Sequence, residues 1–181
     1  MFARIASAVP EARFLFIRYP HGEVTTVFRD RIIAAFAETG LNAERYCRFL
    51  PPMSMTRFAG ISRIADVFLD SLEWSGCNST LEALAWGDLP VVTMAGDLMR
   101  GRHSAAILRM LGVPELVADC PDRFVELATE LGCDGARRRA LTTRIARDKR
   151  KLYADRACIE GLARYLHDAA HAIQTRPPSK R

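Results

Sequence analysis

The sequence predicts an α/β protein: a parallel sheet with helices on both faces. Three observations carry this. Short apolar runs of strand length recur at residues 12–18, 45–50, 66–70, 89–93 and 115–118. Segments with apolar residues at helical spacing lie between them, as in Val27, Phe28, Ile32, Ile33 and Phe36. Glycine and proline punctuate the alternation at Gly40, Pro51-Pro52, Gly112 and Pro121. Strands separated by helices favour a parallel sheet. At 181 residues the chain is long enough for one domain with a substantial core.

Taken in order, ARFLFIR at 12–18 reads as a buried strand, and 24–39 as a helix that Gly40 stops. Residues 45–50 form the second strand. Ser54 is placed to cap a short helix ending near Ile64. Residues 66–70 form the third strand, 79–86 a helix and 89–93 the fourth strand. Residues 100–111 are amphipathic and stop at Gly112; 115–118 form a short fifth strand. Pro121 suits the first position of a helix. Basic helices follow at about 135–152 and 155–172. The domain reading is a single lobe over 1–174, with its core at 1–152 and a C-terminal helix at 153–174, then a basic flexible tail at 175–181.

A composition of 49% hydrophobic and 26% charged residues excludes a disordered chain. The net charge of +5 gathers late, around Arg137 to Lys151 and in the tail. Such a basic face reads as solvated surface rather than a nucleic-acid site. The five cysteines (Cys47, Cys77, Cys120, Cys133 and Cys158) include no CxxC pair. A zinc site or disulfide framework is therefore not expected, and reduced thiols fit a cytoplasmic protein. No apolar run reaches membrane-spanning length.

The most informative stretch is WSGCNSTLEAL at 74–84, which follows the strand VFLD and opens a helix. Gly76 lets the backbone turn closely, and Cys77, Asn78, Ser79 and Thr80 stand where the first helical N–H groups lack intrahelical partners. Helix ends of this kind attract phosphates. Glu82, one turn on, is placed to accept hydrogen bonds from sugar hydroxyls. A diphosphate and a ribose need about this arrangement; the plain alternative is an ordinary capped helix. A second cluster, Asp97 to Ser104, also joins a strand to a helix, and Arg100 and Arg102 there can offset diphosphate charge. After the second strand, backbone groups near Met53 can read a nucleobase and Phe58 can stack on one; the alternative makes both packing residues.

The blocks ADVFLD, SGCNSTLEAL and GDLPVVTMAG, in this order, resemble the C-terminal catalytic half of the O-GlcNAc transferase and SPINDLY family, with bacterial SPINDLY-like members nearest. The resemblance runs from about Phe2 to Tyr165. It implies a GT-B glycosyltransferase, whose C-terminal Rossmann-like lobe holds a nucleotide-sugar donor. It further implies transfer of N-acetylglucosamine from UDP, or fucose from GDP, to protein serine and threonine hydroxyls, with no metal or other cofactor. By the same resemblance, Asn78, Ser79 and Thr80 lie in the phosphate turn, Glu82 on the ribose acid and Met53 near the base-reading position. Phe58 falls where animal enzymes stack a histidine on uracil, Met55 replaces a lysine, and Cys77 replaces a histidine or glycine.

The resemblance also implies that the chain starts just after the family's diphosphate-binding lysine. The N-terminal lobe that would meet the protein acceptor is not part of it. The expectation is therefore a donor-binding lobe, inactive alone as half of an enzyme, with no catalytic residue assigned. The partners expected are a UDP- or GDP-sugar and, through the other lobe, a protein acceptor, with no nucleic acid and no membrane. The competing readings are a non-catalytic nucleotide-binding or protein-interaction module, and half of another GT-B enzyme such as a nucleotide-sugar epimerase.

Overall fold

β1 (Phe14–Ile17) and β2 (Cys47–Leu50) run in parallel, Phe14 opposite Cys47 and Ile17 opposite Leu50. Between them the chain crosses over through α2 (Gly22–Ala37), as a parallel pair requires. α1 (Phe2–Ala8) precedes β1. β3 (Phe68–Leu69), β4 (Val91–Met94) and β5 (Val117–Ala118) form a second parallel set in that order. The computed structural model describes residues 1–153 and 155–174; the tail expected at 175–181 lies outside them.

The α/β alternation and the parallel pairing are as the sequence predicts. The strands, however, hydrogen-bond as two separate sets, β1–β2 and β3–β4–β5, rather than as one continuous sheet. Several strands are shorter than expected, for local reasons. Residues 43–46 form α3 (Ala43–Tyr46) ahead of β2, because the Asn42 side chain caps it by accepting from the Glu44 N–H at 2.9 Å. Pro114 starts a 3₁₀ turn (Pro114–Leu116) that takes up the front of the fifth strand. The expected helix at 100–111 is a 3₁₀ turn (Met99–Gly101) followed by α6 (His103–Leu111). Gly112 ends α6 at φ 85°, where a side chain would strain the backbone.

α4 (Met55–Ile64) begins after Ser54 as expected, but the Ser54 side chain makes no capping bond. α5 (Asn78–Gly87) connects β3 to β4. α7 (Pro121–Cys133) has proline in its first turn, and Asp134 caps α8 (Gly135–Asp148) by accepting from the Arg137 N–H at 2.9 Å.

The chain divides into two compact units at Lys149. In the first, one core joins α1, β1, α2, α3 and β2 through Ile5, Phe14, Phe36, Tyr46 and Cys47. Phe2 meets Phe14 edge-on at 5.2 Å, and Phe14 meets Phe36 at 6.4 Å. Around β4, Leu84, Val91, Val92, Leu108, Leu127 and Leu131 are fully buried. In the second unit, α9 (Arg150–Tyr153) and α10 (Ala157–Gln174) are both helical, the latter carrying Ile159, Leu162, Tyr165 and Leu166 at helical spacing.

Candidate functional site

Asp70 directly follows β3, and it is buried. One carboxylate oxygen accepts the Gly76 N–H at 2.7 Å; the other accepts the Ser75 and Thr93 hydroxyls at 2.9 and 2.7 Å. A buried carboxylate without donors would be strongly unfavourable, whereas one that accepts three is stable and rigid. Asp70 thereby ties the loop after β3 to β4 and fixes where the chain re-enters as α5.

The same loop is tied to α6. The Ser104 N–H donates to Ser75 Oγ at 2.9 Å, the Ser104 hydroxyl donates to the Gly76 carbonyl at 2.9 Å, and the Thr80 and Ser104 hydroxyls lie 2.7 Å apart. The Ser75 N–H reaches the Arg100 carbonyl at 2.8 Å, and Gly96 N–H the Gly101 carbonyl at 2.9 Å. The loops after β3 and β4 are thus one construction. This is the C-terminal strand edge at which open parallel sheets bind ligands.

At its centre, α5 opens without a side-chain cap: Cys77 stands at the N-cap position and makes no capping bond. The first helical bond in the turn is Leu81 N–H to the Cys77 carbonyl at 3.0 Å. The N–H groups of Asn78, Ser79 and Thr80 have no hydrogen-bond partner among the described residues. Close packing holds the turn, since a Cβ on Gly76 would fall 2.6 Å from Thr80 Oγ1 and 2.8 Å from Ser79 Oγ. The result is a pre-ordered set of donors at the positive end of a ten-residue helix, suited to an anion.

The structure brings Gly76, Cys77, Asn78, Ser79 and Thr80 together here. Cys77 and Asn78 are exposed, Ser79 and Glu82 half-buried, and Thr80 fully buried. The Thr80 hydroxyl faces Ser104, so only the backbone of Thr80 is left for a ligand. Arg100 and Arg102 are exposed beside the turn, the Arg100 guanidinium lying 5.9 Å from the Trp74 ring centre. Met53 lies half-buried in the loop between β2 and α4. Phe58 sits on α4 with its ring 6.3 Å from that of Trp86 on α5, where it packs the two helices together.

What sequence reasoning missed is the group that organises the site. From the sequence, Asp70 reads as a strand-edge cap and Ser104 only as the last member of the Asp97 to Ser104 cluster. The available signal was an acid closing an apolar strand, followed within six residues by serine and glycine. Among the described residues, no group of three or more His, Cys, Asp or Glu side chains is placed to hold a metal ion. No described helix is long and apolar enough to cross a membrane.

A helix start with free N–H groups on the loop edge of parallel strands is a geometry that suits a phosphate-bearing ligand. Comparison with known proteins goes further. The family model for glycosyl transferase family 41 matches residues 1–160, and the chain belongs to that family. It is 30% identical over 136 residues to a probable UDP-N-acetylglucosamine–peptide N-acetylglucosaminyltransferase SPINDLY of Petunia hybrida, covering 74% of this chain and 14% of that protein. It is 30% identical over 135 residues to the UDP-N-acetylglucosamine–peptide N-acetylglucosaminyltransferase of Caenorhabditis elegans, covering 74% and 11%. A solved mutant of the Thermobaculum terrenum O-GlcNAc transferase superposes with a TM-score of 0.75 at 32% identity, covering 93% of this chain and 31% of the other. The O-GlcNAc transferase and SPINDLY resemblance and the GT-B lobe are therefore shown, while the chain spans only a minor part of each relative's length.

Proposed function

We propose that this chain is the donor-holding lobe of a protein glycosyltransferase and binds a nucleoside-diphosphate sugar at the start of α5. The observation that carries the reading is the set of unpartnered N–H groups at Asn78, Ser79 and Thr80, on a turn locked by Asp70. The pyrophosphate sits on these donors. Glu82, one turn further along α5, accepts from the ribose hydroxyls. Arg100 and Arg102 add positive charge from the neighbouring loop, and backbone groups near Met53 meet the base. Relatives named as UDP-N-acetylglucosamine–peptide transferases support a nucleotide sugar as donor and a protein as acceptor.

The residues assigned here hold a donor and offset its charge without a metal or other cofactor. No catalytic residue is assigned among them, and the part proposed for this chain in the transfer is binding and orienting the donor. Each helix-end interaction with an anion is worth ~0.3–1 kcal/mol. Affinity for the isolated chain is on the order of 0.1–1 mM, roughly 4–5.5 kcal/mol.

Calorimetric titration with UDP, GDP, UDP-N-acetylglucosamine and GDP-fucose tests the proposal and chooses the base. Saturable binding of one nucleotide series, weakened by Glu82→Ala in a folded protein, is the expected result. No binding by any of the four to the folded chain would overturn it.

A further inference from the structure

Trp74 is the largest side chain in the loop that enters the α5 turn, and it is 70% exposed. Its backbone is nonetheless fixed on both sides. The Ser71 hydroxyl donates to the Trp74 carbonyl at 2.6 Å, and the next residue, Ser75, donates its N–H to the Arg100 carbonyl at 2.8 Å. Gly101 packs on the stretch just before it: a Cβ there would lie 3.3 Å from the Leu72 carbonyl oxygen and 3.6 Å from that of Glu73. The ring is oriented as well. The Arg100 guanidinium lies over it, 5.9 Å from the centroid and within cation–π range. Exposure of a single apolar side chain is ordinary. Exposure of an indole whose backbone and ring are both held is the arrangement of a ligand-binding wall.

Its position names the ligand. The chain enters the turn through Trp74 and leaves it through Glu82. With the pyrophosphate on the N–H groups of Asn78, Ser79 and Thr80 and the ribose at Glu82, the group beyond the pyrophosphate is the transferred sugar, and it comes to the Trp74 side. We infer that Trp74 is the platform for that sugar: the indole surface not covered by Arg100 stacks on the C–H face of a pyranose. An aromatic face carries negative charge density, and C–H bonds beside sugar oxygens are polarised positive, so the two attract. The sugar's hydroxyls lie at its rim and stay free for other groups. Arg100 serves twice, covering one side of the ring and adding positive charge beside the pyrophosphate. The platform also sorts sugars, since a ring with a flat C–H face stacks closely and an axial substituent on that face holds it off. This inference rests on the donor-site reading and adds to it the residue that tells a sugar nucleotide from its bare diphosphate.

The test compares each diphosphate with its sugar nucleotide, UDP with UDP-N-acetylglucosamine and GDP with GDP-fucose, on the full chain by calorimetry. The quantity read is the ratio of the two dissociation constants within a pair, which cancels any change that a variant makes at the pyrophosphate. In the parent the sugar nucleotide of the pair that binds is expected to be about fivefold the tighter, the worth of one aromatic stack. The ratio falls to about one in folded Trp74→Ala and is kept in Trp74→Tyr, which retains a ring. Ligand NMR gives a second readout: the sugar ring protons shift upfield on binding the parent, as protons above an aromatic face do, and not on binding Trp74→Ala. Four results overturn the platform and leave the donor site standing: no gain from the sugar in the parent, a gain that survives Trp74→Ala, a gain lost equally in Trp74→Tyr, or sugar protons that do not shift. No binding of any of the four ligands to the folded parent overturns both.

Discussion

The hydroxyls of Thr80 and Ser104 lie 2.7 Å apart, both buried, and join the first turn of α5 to the first turn of α6. Ser104 also donates to the Gly76 carbonyl, so one side chain fastens both the glycine turn and the helix it opens. Ser104→Ala leaves the Thr80 hydroxyl and the Gly76 carbonyl short of a partner. A loss of about 1–3 kcal/mol in urea denaturation is expected, with weaker nucleotide binding in the same protein. A variant as stable as the parent would show that the bond contributes nothing.

Gly76 is tested by what a single methyl does. In Gly76→Ala the new Cβ meets Thr80 Oγ1 and Ser79 Oγ well inside van der Waals contact. The α5 turn must shift, and its N–H groups lose their common aim. Nucleotide affinity is expected to fall at least tenfold, about 1.4 kcal/mol. Gly60→Ala is the control: nothing lies within 4 Å of its Cβ, and it sits within α4. That change leaves binding alone and stabilises the helix by up to ~1 kcal/mol. Equal binding by both variants would remove the turn from the site.

The order of strands and helices was legible because burial imposes periods that a sequence displays. Phe14 in β1 and Val91 and Val92 in β4 are apolar because they are buried in parallel strands. The α5 turn was legible too, since glycine followed by small polar residues marks a helix start. The Asp70 network was not, because its partners Gly76 and Thr93 lie six and 23 residues away along the chain. The local pattern hints only at Ser75 and Gly76, and it is folding that brings Thr93 to the carboxylate as the third donor. The break between β1 and β3 was hidden for the same reason: a strand's own residues do not reveal which neighbour its second edge finds. Phe58 shows the remaining ambiguity, as an aromatic suited to stacking on a base is equally suited to packing on Trp86.

Cys47 opens β2 and is buried, while Cys77, Cys120, Cys133 and Cys158 are exposed. Burial pushes its thiol up to about 11, with the Arg48 charge opposing the rise only in part. A pKa raised on folding means the neutral thiol is favoured by the folded state. The associated stability is present below the ordinary thiol value of ~8.5 and is lost as pH rises through the folded value. A thiol reagent at pH 8 should label the four exposed cysteines quickly and Cys47 only when the chain is unfolded. Mass spectrometry of the labelled peptides checks this, and labelling of Cys47 at the rate of the others would contradict it.

Glu130 on α7 accepts from Arg123 at 2.9 Å and from Arg137, which lies in the first turn of α8. The Arg123 hydrogen bond holds its carboxyl below the usual glutamate range, partial desolvation opposes this, and the Arg137 hydrogen bond reinforces it. A pKa lowered on folding favours the charged form in the folded state. Its stabilisation is complete above the unfolded-state value of ~4.3 and disappears as pH falls through the lower folded value. All three side chains are more than one-third exposed, so the effect is small and screened by salt. Glu130→Gln should be less stable than the parent at pH 6 and low ionic strength. The gap should narrow as pH falls below the usual glutamate range and the parent carboxyl takes up its proton. Denaturation curves at pH 6, 5, 4 and 3 measure it. A gap that stays constant with pH would mean that the packing of residue 130, not its charge, links α7 to α8.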